Sequence, residues 1–284
     1  MSSPLPELRA AIAGIPLLAG LGVDEIGITR LGGLSNTNLR LDTPRGAFVL
    51  RLPSPDPAGF VDRKLEIEAT RQAAPLGLGA ELLHADPHSG VLLTRWIAAA
   101  PLSAERFRAD PTAIDRAGIA LAALHRASIR FERALDTFAV IDAHRETLRR
   151  RGRIPEWKPA VLAALDRART EVAAAPMRAV PSHGDMVPDN LLDGGARAYL
   201  IDWEYAGMAD PAWDLAYLSL EARFDDAQET RLLAAHGGSV APERVANFKL
   251  LAAMLGALWG HVRGDEALAN WIAEREAAIK TLAR

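Results

Sequence analysis

A loop spelled His183-Gly184-Asp185-Met186-Val187-Pro188-Asp189-Asn190 runs straight into Leu191-Leu192, turns at Asp193-Gly194-Gly195, and leaves through Tyr199-Leu200-Ile201 to Asp202. Short apolar runs on either side of Asp-Gly-Gly predict an antiparallel hairpin. In a hairpin, the residue that opens the first strand and the residue that closes the second share one end. Asn190 and Asp202 therefore have to lie side by side, with Asp185 in the loop just upstream. A fold built on this segment must gather two carboxylates and a carboxamide at one spot. Phosphoryl transfer from a nucleotide asks for that set: a carboxylate to orient the acceptor hydroxyl and take its proton, and an Asn and a second carboxylate to hold the metal. Asp185 fits the first role, Asn190 and Asp202 the other two. Mg²⁺ takes oxygen ligands and keeps several waters, so two protein groups and the phosphates complete its shell.

Around this hairpin the chain reads in two regimes. Residues from about 26 to 95 are strand-like: Gly32-Gly33 marks a turn, Asn38 to Asp42 an extended run, Pro44-Arg45-Gly46 a second turn, and Ala47 to Leu52 a β-branched and aromatic run. A helix is predicted from Asp62, as its cap, to Ala74, stopped by Pro75 and the glycines at 77 and 79. Ala80 to His84 and Val91 to Trp96 are further strand candidates. Beyond residue 103 the pattern is helical, over 113–126, 159–175, 213–222, 242–262 and 266–282. The fold class this implies is α+β, a two-lobed protein-kinase-like fold with a small β-rich N-lobe and a larger, mainly helical C-lobe. Residues 1–96 would form the nucleotide-binding lobe, 97–102 the hinge, and 103–284 the helical lobe with the catalytic loop and acceptor pocket.

In that layout Gly33, Ser35, Asn36, Thr37 and Asn38 occupy the phosphate-covering turn. Glycine lets backbone amides approach phosphates, and the polar side chains add donors. Arg51, on the following strand, is the cation for the phosphates, and its planar fork suits bidentate contacts. Flanked by apolar residues, it needs an acidic partner. Glu66 is preferred over Glu68 on the helix that follows.

The combination of Gly32-Gly33-Leu34-Ser35-Asn36, Val49-Leu50-Arg51, Asp62-Arg63 with Glu66, His183-Gly184-Asp185 with Asn190, and Ile201-Asp202-Trp203-Glu204-Tyr205 resembles the choline/ethanolamine kinase branch of the aminoglycoside-phosphotransferase-like superfamily. The stretch Asp210-Pro211-Ala212-Trp213-Asp214-Leu215 is similar to bacterial choline kinases. The resemblance spans about Gly32 to Trp259. It implies ATP with Mg²⁺, Asp185 as base, Asn190 and Asp202 as metal ligands, and an acceptor pocket in the helical lobe, with acceptor contacts at Glu204 and Trp259.

Charge points to the acceptor independently. Residues 185 to 214 hold seven carboxylates and one basic side chain, Arg197. Such an excess attracts a cation, and a quaternary ammonium is held by aromatic faces plus carboxylates. Trp203, Glu204, Tyr205, Trp213 and Trp259 are the available groups, with Trp213 also readable as core. The substrate expected is a small cationic alcohol, choline or ethanolamine. Thiamine, an aminoglycoside or another hydroxylated small molecule stays open, as does a catalytically silent nucleotide-binding domain. His183 reads as scaffolding, and Asp214 as a brace for the loop.

A net charge of −3 argues against nucleic-acid partners. The run Arg149-Arg150-Arg151-Gly152-Arg153 reads as a solvated helix end. With no cysteine, no secretory pattern around Ala10 to Val23 and an apolar stretch at Leu250 to Trp259 too short for a membrane span, a cytoplasmic enzyme is expected, of open oligomeric state.

Overall fold

Alternation in the N-terminal strands dictates one layer of the molecule. In a computed structural model that describes residues 8, 11–32, 36–53 and 61–283, five antiparallel strands pair in the order β1-β2-β3-β5-β4. They are β1 (Gly27–Arg30), β2 (Asn36–Thr43), β3 (Gly46–Pro53), β4 (Leu82–Ala85) and β5 (Leu92–Arg95). Leu39 and Leu41 on β2, Phe48 and Leu50 on β3, and Leu93 on β5 bury one face against Ile12, Ile15 and Leu18. Helix α1 (Arg63–Ala73) follows β3, and the Asp62 carboxylate accepts from the amides of Lys64 and Leu65, the expected cap.

Residues 97–102, expected as the hinge, hold more structure than the sequence announces. Ala100–Pro101 forms a two-residue strand, β6, that pairs with β8 (Leu191–Asp193), which in turn pairs with β9 (Ala198–Leu200). The Leu102 amide extends the contact, donating to the Leu191 carbonyl at 2.8 Å. Two residues are too few to carry a periodic signal. This segment is thereby stitched to the predicted hairpin, whose turn residue Asp193 receives a two-pronged bond from Arg116 at 2.8 Å on each oxygen.

The remaining chain is mostly helical: α2 (Ala104–Ala109), α3 (Thr112–His125), α4 (Thr137–Arg150), α5 (Pro159–Ala174), α6 (Ala212–Glu221), α7 (Asp226–His236), α8 (Pro242–Arg263) and α9 (Ala269–Leu282). Strands β7 (Val180–Ser182) and β10 (Gly207–Ala209) pair beside the loop at 183–190. Helices α2, α4 and α7 go beyond the sequence expectation. Their signals are nonetheless present: α4 buries Thr137, Ile141, His144 and Leu148 at helical spacing, and α7 opens on a capping box of Asp225 with Gln228. Charged residues mask both. Helix α8 is long and apolar enough to cross a membrane by length and composition, yet 67% of its apolar window is buried. It packs against α4, α5, α6 and α9, as a helix apolar on every side must. The arginine run closes α4, where Arg149 and Arg150 pair with Glu146 and Arg151 donates to the Val262 carbonyl.

Candidate active site

The hairpin register does what its spacing demanded. Leu191 faces Leu200, and the Ile201 amide donates to the Asn190 carbonyl at 3.0 Å, so Asn190 and Asp202 share one end. Asn190 Nδ2 donates to the Asp185 carbonyl at 2.9 Å and to its carboxylate at 3.2 Å. Asp202 sits in the left-handed region at φ 67°, one of two described non-glycine residues there. Such strain persists only where the surroundings enforce it, and the carboxylate it carries meets Arg51 at 3.2 Å. Burial, followed by the charges of Asp202 and Glu221, pushes the Asp185 carboxyl up to about 7. Burial also raises Asp202, with the Arg51 guanidinium opposing it.

Several buried groups fix the loop. Asp214, fully buried, accepts from the amides of His183 at 2.8 Å and Gly184 at 2.9 Å. Trp213 Nε1 donates to the Gly184 carbonyl at 3.0 Å. Gly184 has φ +87°, and a Cβ there would collide with the Tyr205 carbonyl, so only glycine fits. His183 is buried, with Nε2 2.9 Å from the Ile201 carbonyl. Burial holds its imidazole below the usual range, so it is a neutral donor that ties the loop to the end of β9.

Across the cleft, Arg51 forms an ion pair with Glu66 and reaches Asp202 at 3.2 Å. Arg63 lies 3.1 Å from Glu66 and 3.6 Å from Glu204, and Asn36 Nδ2 donates to Glu204 at 3.2 Å. One oxygen from each of Glu66, Asp202 and Glu204 falls within 4.8 Å of the others. Burial, then the charges of Asp202 and Glu66, pushes Glu204 up to about 8. Buried atoms without hydrogen-bond partners converge here as well: Asn36 Oδ1, and Arg51 Nε and Nη2. Hard oxygen donors beside unspent guanidinium donors suit a divalent cation and an anionic phosphate.

Other expected residues fall differently. Gly33 and Ser35 lie outside the described residues. Thr37 and Asn38 sit on β2 opposite Leu52 and Arg51. Asn38 Nδ2 donates to the Gly32 carbonyl at 3.2 Å, bracing the turn itself. Trp203 and Trp213, expected in the aromatic cage, are only 2% and 5% exposed. Trp203 packs on His183 and Phe131, and Trp213 on Tyr217 and Phe248, because rings this large complete the helical core. Glu204 likewise lies with Glu66 and Asp202 instead of in an aromatic cage. Trp259 is half-buried, edge-on to Trp271 at 5.7 Å and under Arg263.

Two residues without a role in the sequence expectation stand next to Asp185. Tyr217 hydrogen-bonds its carboxylate, and Glu221 adds a nearby negative charge. Arg275 Nη2 and the Trp271 side chain both bond to Glu221. Trp213, Tyr217 and Glu221 recur at four-residue steps on α6, so the helical period carries the signal.

A family profile described as "Phosphotransferase enzyme family" matches residues 27–248. The chain belongs to that family. This phosphotransferase lies within its choline/ethanolamine kinase branch. It is 34% identical to a choline/ethanolamine kinase family protein from Mesorhizobium loti whose crystal structure superposes with a TM-score of 0.85, covering 99% of this chain and 95% of the other. A crystal structure of LicA in complex with AMP is 25% identical, covers 93% of this chain and 94% of that one, and has a TM-score of 0.75. Protein LicA of Haemophilus influenzae is 29% identical over 206 residues, a match that covers 70% of this chain but only 59% of LicA.

The crowded carboxylates of this phosphotransferase make its metal-free stability depend on pH. Asp185 rises from 3.8 to about 7 and Glu204 from 4.5 to about 8, so the fold favours their protonated forms. Their stabilising contribution is complete below about pH 4, declines as pH rises, and is gone above about pH 8. A tenfold change in proton affinity on folding is worth about 1.4 kcal/mol, and water reaching Asp185 reduces the yield, so a net loss of about 1–3 kcal/mol across this interval is expected. The thermal midpoint of metal-free protein should fall between pH 5 and pH 8.5, and Mg²⁺ with ATP should raise it more at pH 8.5 than at pH 5.5. A ligand-induced shift larger at the lower pH would contradict this assignment.

Proposed function

We propose that this phosphotransferase moves the γ-phosphoryl group of ATP to the hydroxyl of a small cationic alcohol, choline in the first place and ethanolamine in the second. The convergence of Asp185, Asn190 and Asp202 at one end of the hairpin carries the reading. Branch membership, with a LicA structure holding AMP, supports an adenine nucleotide as donor. Residues 1–96 serve as the nucleotide lobe, 97–102 as the hinge and 103–284 as the acceptor lobe. ATP as donor and the lack of cysteine are in keeping with a cytoplasmic location.

Arg51, oriented by Glu66, holds the phosphates together with the turn from Gly32 to Asn38. Asn190 and Asp202 would hold Mg²⁺, which neutralises charge on the phosphate oxygens, and Glu204 stands ready on the same side. Asp185 orients the acceptor hydroxyl for in-line attack. The new O–P bond forms as the bond to ADP breaks, and the hydroxyl proton passes to the Asp185 carboxylate late, because the transition state is loose. Asn190 and Tyr217 keep that carboxylate aimed.

On the acceptor side, Glu221 supplies negative charge while Trp259 and Trp271 offer aromatic faces, a combination suited to an ammonium group. Arg275 offsets part of the Glu221 charge, so the rings carry a share of the attraction. Glu221→Gln should therefore raise the KM for choline about tenfold, roughly the worth of a charge-assisted contact, and leave the KM for ATP within about twofold. Equal changes in both constants would remove Glu221 from the acceptor pocket. A phosphorylation screen of choline, ethanolamine, thiamine and several aminoglycosides with ATP and Mg²⁺ tests the whole reading. Choline should give the highest kcat/KM. Preference for an aminoglycoside would overturn the acceptor assignment, and nucleotide binding without any phosphorylation would mark a silent domain.

A further inference from the structure

Behind the catalytic loop runs a buried row of side chains that take no direct part in the chemistry of the cleft. Asp214 Oδ2 lies 3.1 Å from His125 Nε2, and His125 Nδ1 lies 3.0 Å from His236 Nε2. His125 comes from α3, His236 is the last residue of α7, and all three side chains are buried. The same Asp214 carboxylate receives the His183 and Gly184 amides. The row thus connects α7 to the backbone that presents Asp185.

Two features show that the contact between the histidines is built. Helices α3 and α7 touch nearly backbone to backbone at Gly118, where a Cβ would stand 2.7 Å from the Ala235 Cβ and 2.9 Å from the Leu232 carbonyl. That closeness brings the imidazoles within bonding distance. The His236 carbonyl also accepts from Arg126 Nη2 at 2.8 Å, and Gly237 ends the helix in the left-handed region, which fixes where His236 stands.

Hydrogen-bond capacity assigns the protons. Burial pushes the Asp214 carboxyl up, but the hydrogen bonds from His125 and the loop amides hold the group below its ordinary value. Asp214 is therefore an acceptor only, and His125 Nε2 must carry a hydrogen. In its single-hydrogen form His125 presents a bare Nδ1, and His236 Nε2, 3.0 Å away, is the group placed to donate to it. Burial above all holds His236 down at about 4, so it is neutral and can donate from Nε2. His236 Nδ1 is left buried with no partner. A lone buried polar atom costs about 1–3 kcal/mol, so an apolar residue here would favour stability alone. What histidine offers at this position is the donor.

We propose that His236 is a positioning residue for phosphoryl transfer: its Nε2–H locks His125 in the Nε2–H tautomer, and His125 then holds Asp214 on the two amides that set Asp185. The inference rests on Asp185 acting as the base in the proposed function. Long-range proton–nitrogen NMR of the wild-type protein should show both histidines neutral and protonated at Nε2. A hydrogen on His125 Nδ1 would overturn the scheme by itself. Methionine and glutamine match in size at position 236, but only glutamine supplies an N–H. His236→Met should lower kcat about fivefold to tenfold with both KM values within twofold, and His236→Gln should return kcat to within about twofold of wild type. Equal kcat for the two variants, or a change confined to KM, would sink the proposal. If the wild-type protein phosphorylated none of the alcohols, the Asp185 reading would fall on its own, and the tautomers of His125 and His236 would still decide this inference.

Discussion

Asp185→Asn is expected to cut turnover about a thousandfold while ATP affinity stays within a few-fold, the loss that follows when a general base is removed and binding is left alone. Asparagine keeps the volume and can still accept from Asn190, so the loop should stay in place. The metal-free protein should gain stability at pH 8, because the variant removes one of the buried negative charges crowded around Asp202 and Glu221. Steady-state kinetics, nucleotide titration calorimetry and a thermal melt on one preparation test all three statements. Turnover near that of wild type would take the base role away from Asp185.

The second large effect is on stability. Asp214→Ala leaves the amides of His183 and Gly184 and the Nε2 of His125 without an acceptor in a fully buried site. Each orphaned donor costs about 1–3 kcal/mol, and a total loss of about 4 kcal/mol is expected after partial relaxation. In a protein of this size that corresponds to a fall of roughly 10 °C in Tm. Asp214→Asn, which keeps one acceptor oxygen, should lose about half as much. Denaturant unfolding followed by circular dichroism reads both, and a loss below about 1 kcal/mol for the alanine variant would show that the loop is held by other contacts.

The parts legible in the sequence are those where local chemistry decides the geometry. Asp-Gly-Gly between apolar pairs leaves the backbone little choice, so the neighbourhood of Asn190 and Asp202 can be read directly. Asp62 as a cap and Glu66 one turn later bring Glu66 to Arg51 for the same reason. The acceptor side is harder because it depends on which way a ring points. Trp203 and Glu204 follow Asp202, whose left-handed backbone breaks the two-residue alternation that would have sorted them between faces. Trp213 has the composition of a cage residue and the position of a core residue, and tertiary packing makes the choice. Tyr217 and Glu221 are within reach of the helical period, but they lie beyond Asp214, where the dense run of carboxylates ends. The strand at Ala100–Pro101 leaves no local trace, since it exists only through its partner.

That short strand has a mechanical consequence. Pairing of Ala100 and Pro101 with the hairpin, together with the Arg116 clamp on Asp193, makes Asn190 and Asp202 travel as cargo of the large lobe. Arg51 and Asn36 ride on the five-stranded sheet. The contacts of Arg51 with Asp202 and of Asn36 with Glu204 therefore act as a clasp across the mouth of the cleft, and no swing of the sheet away from the helices can occur without undoing both.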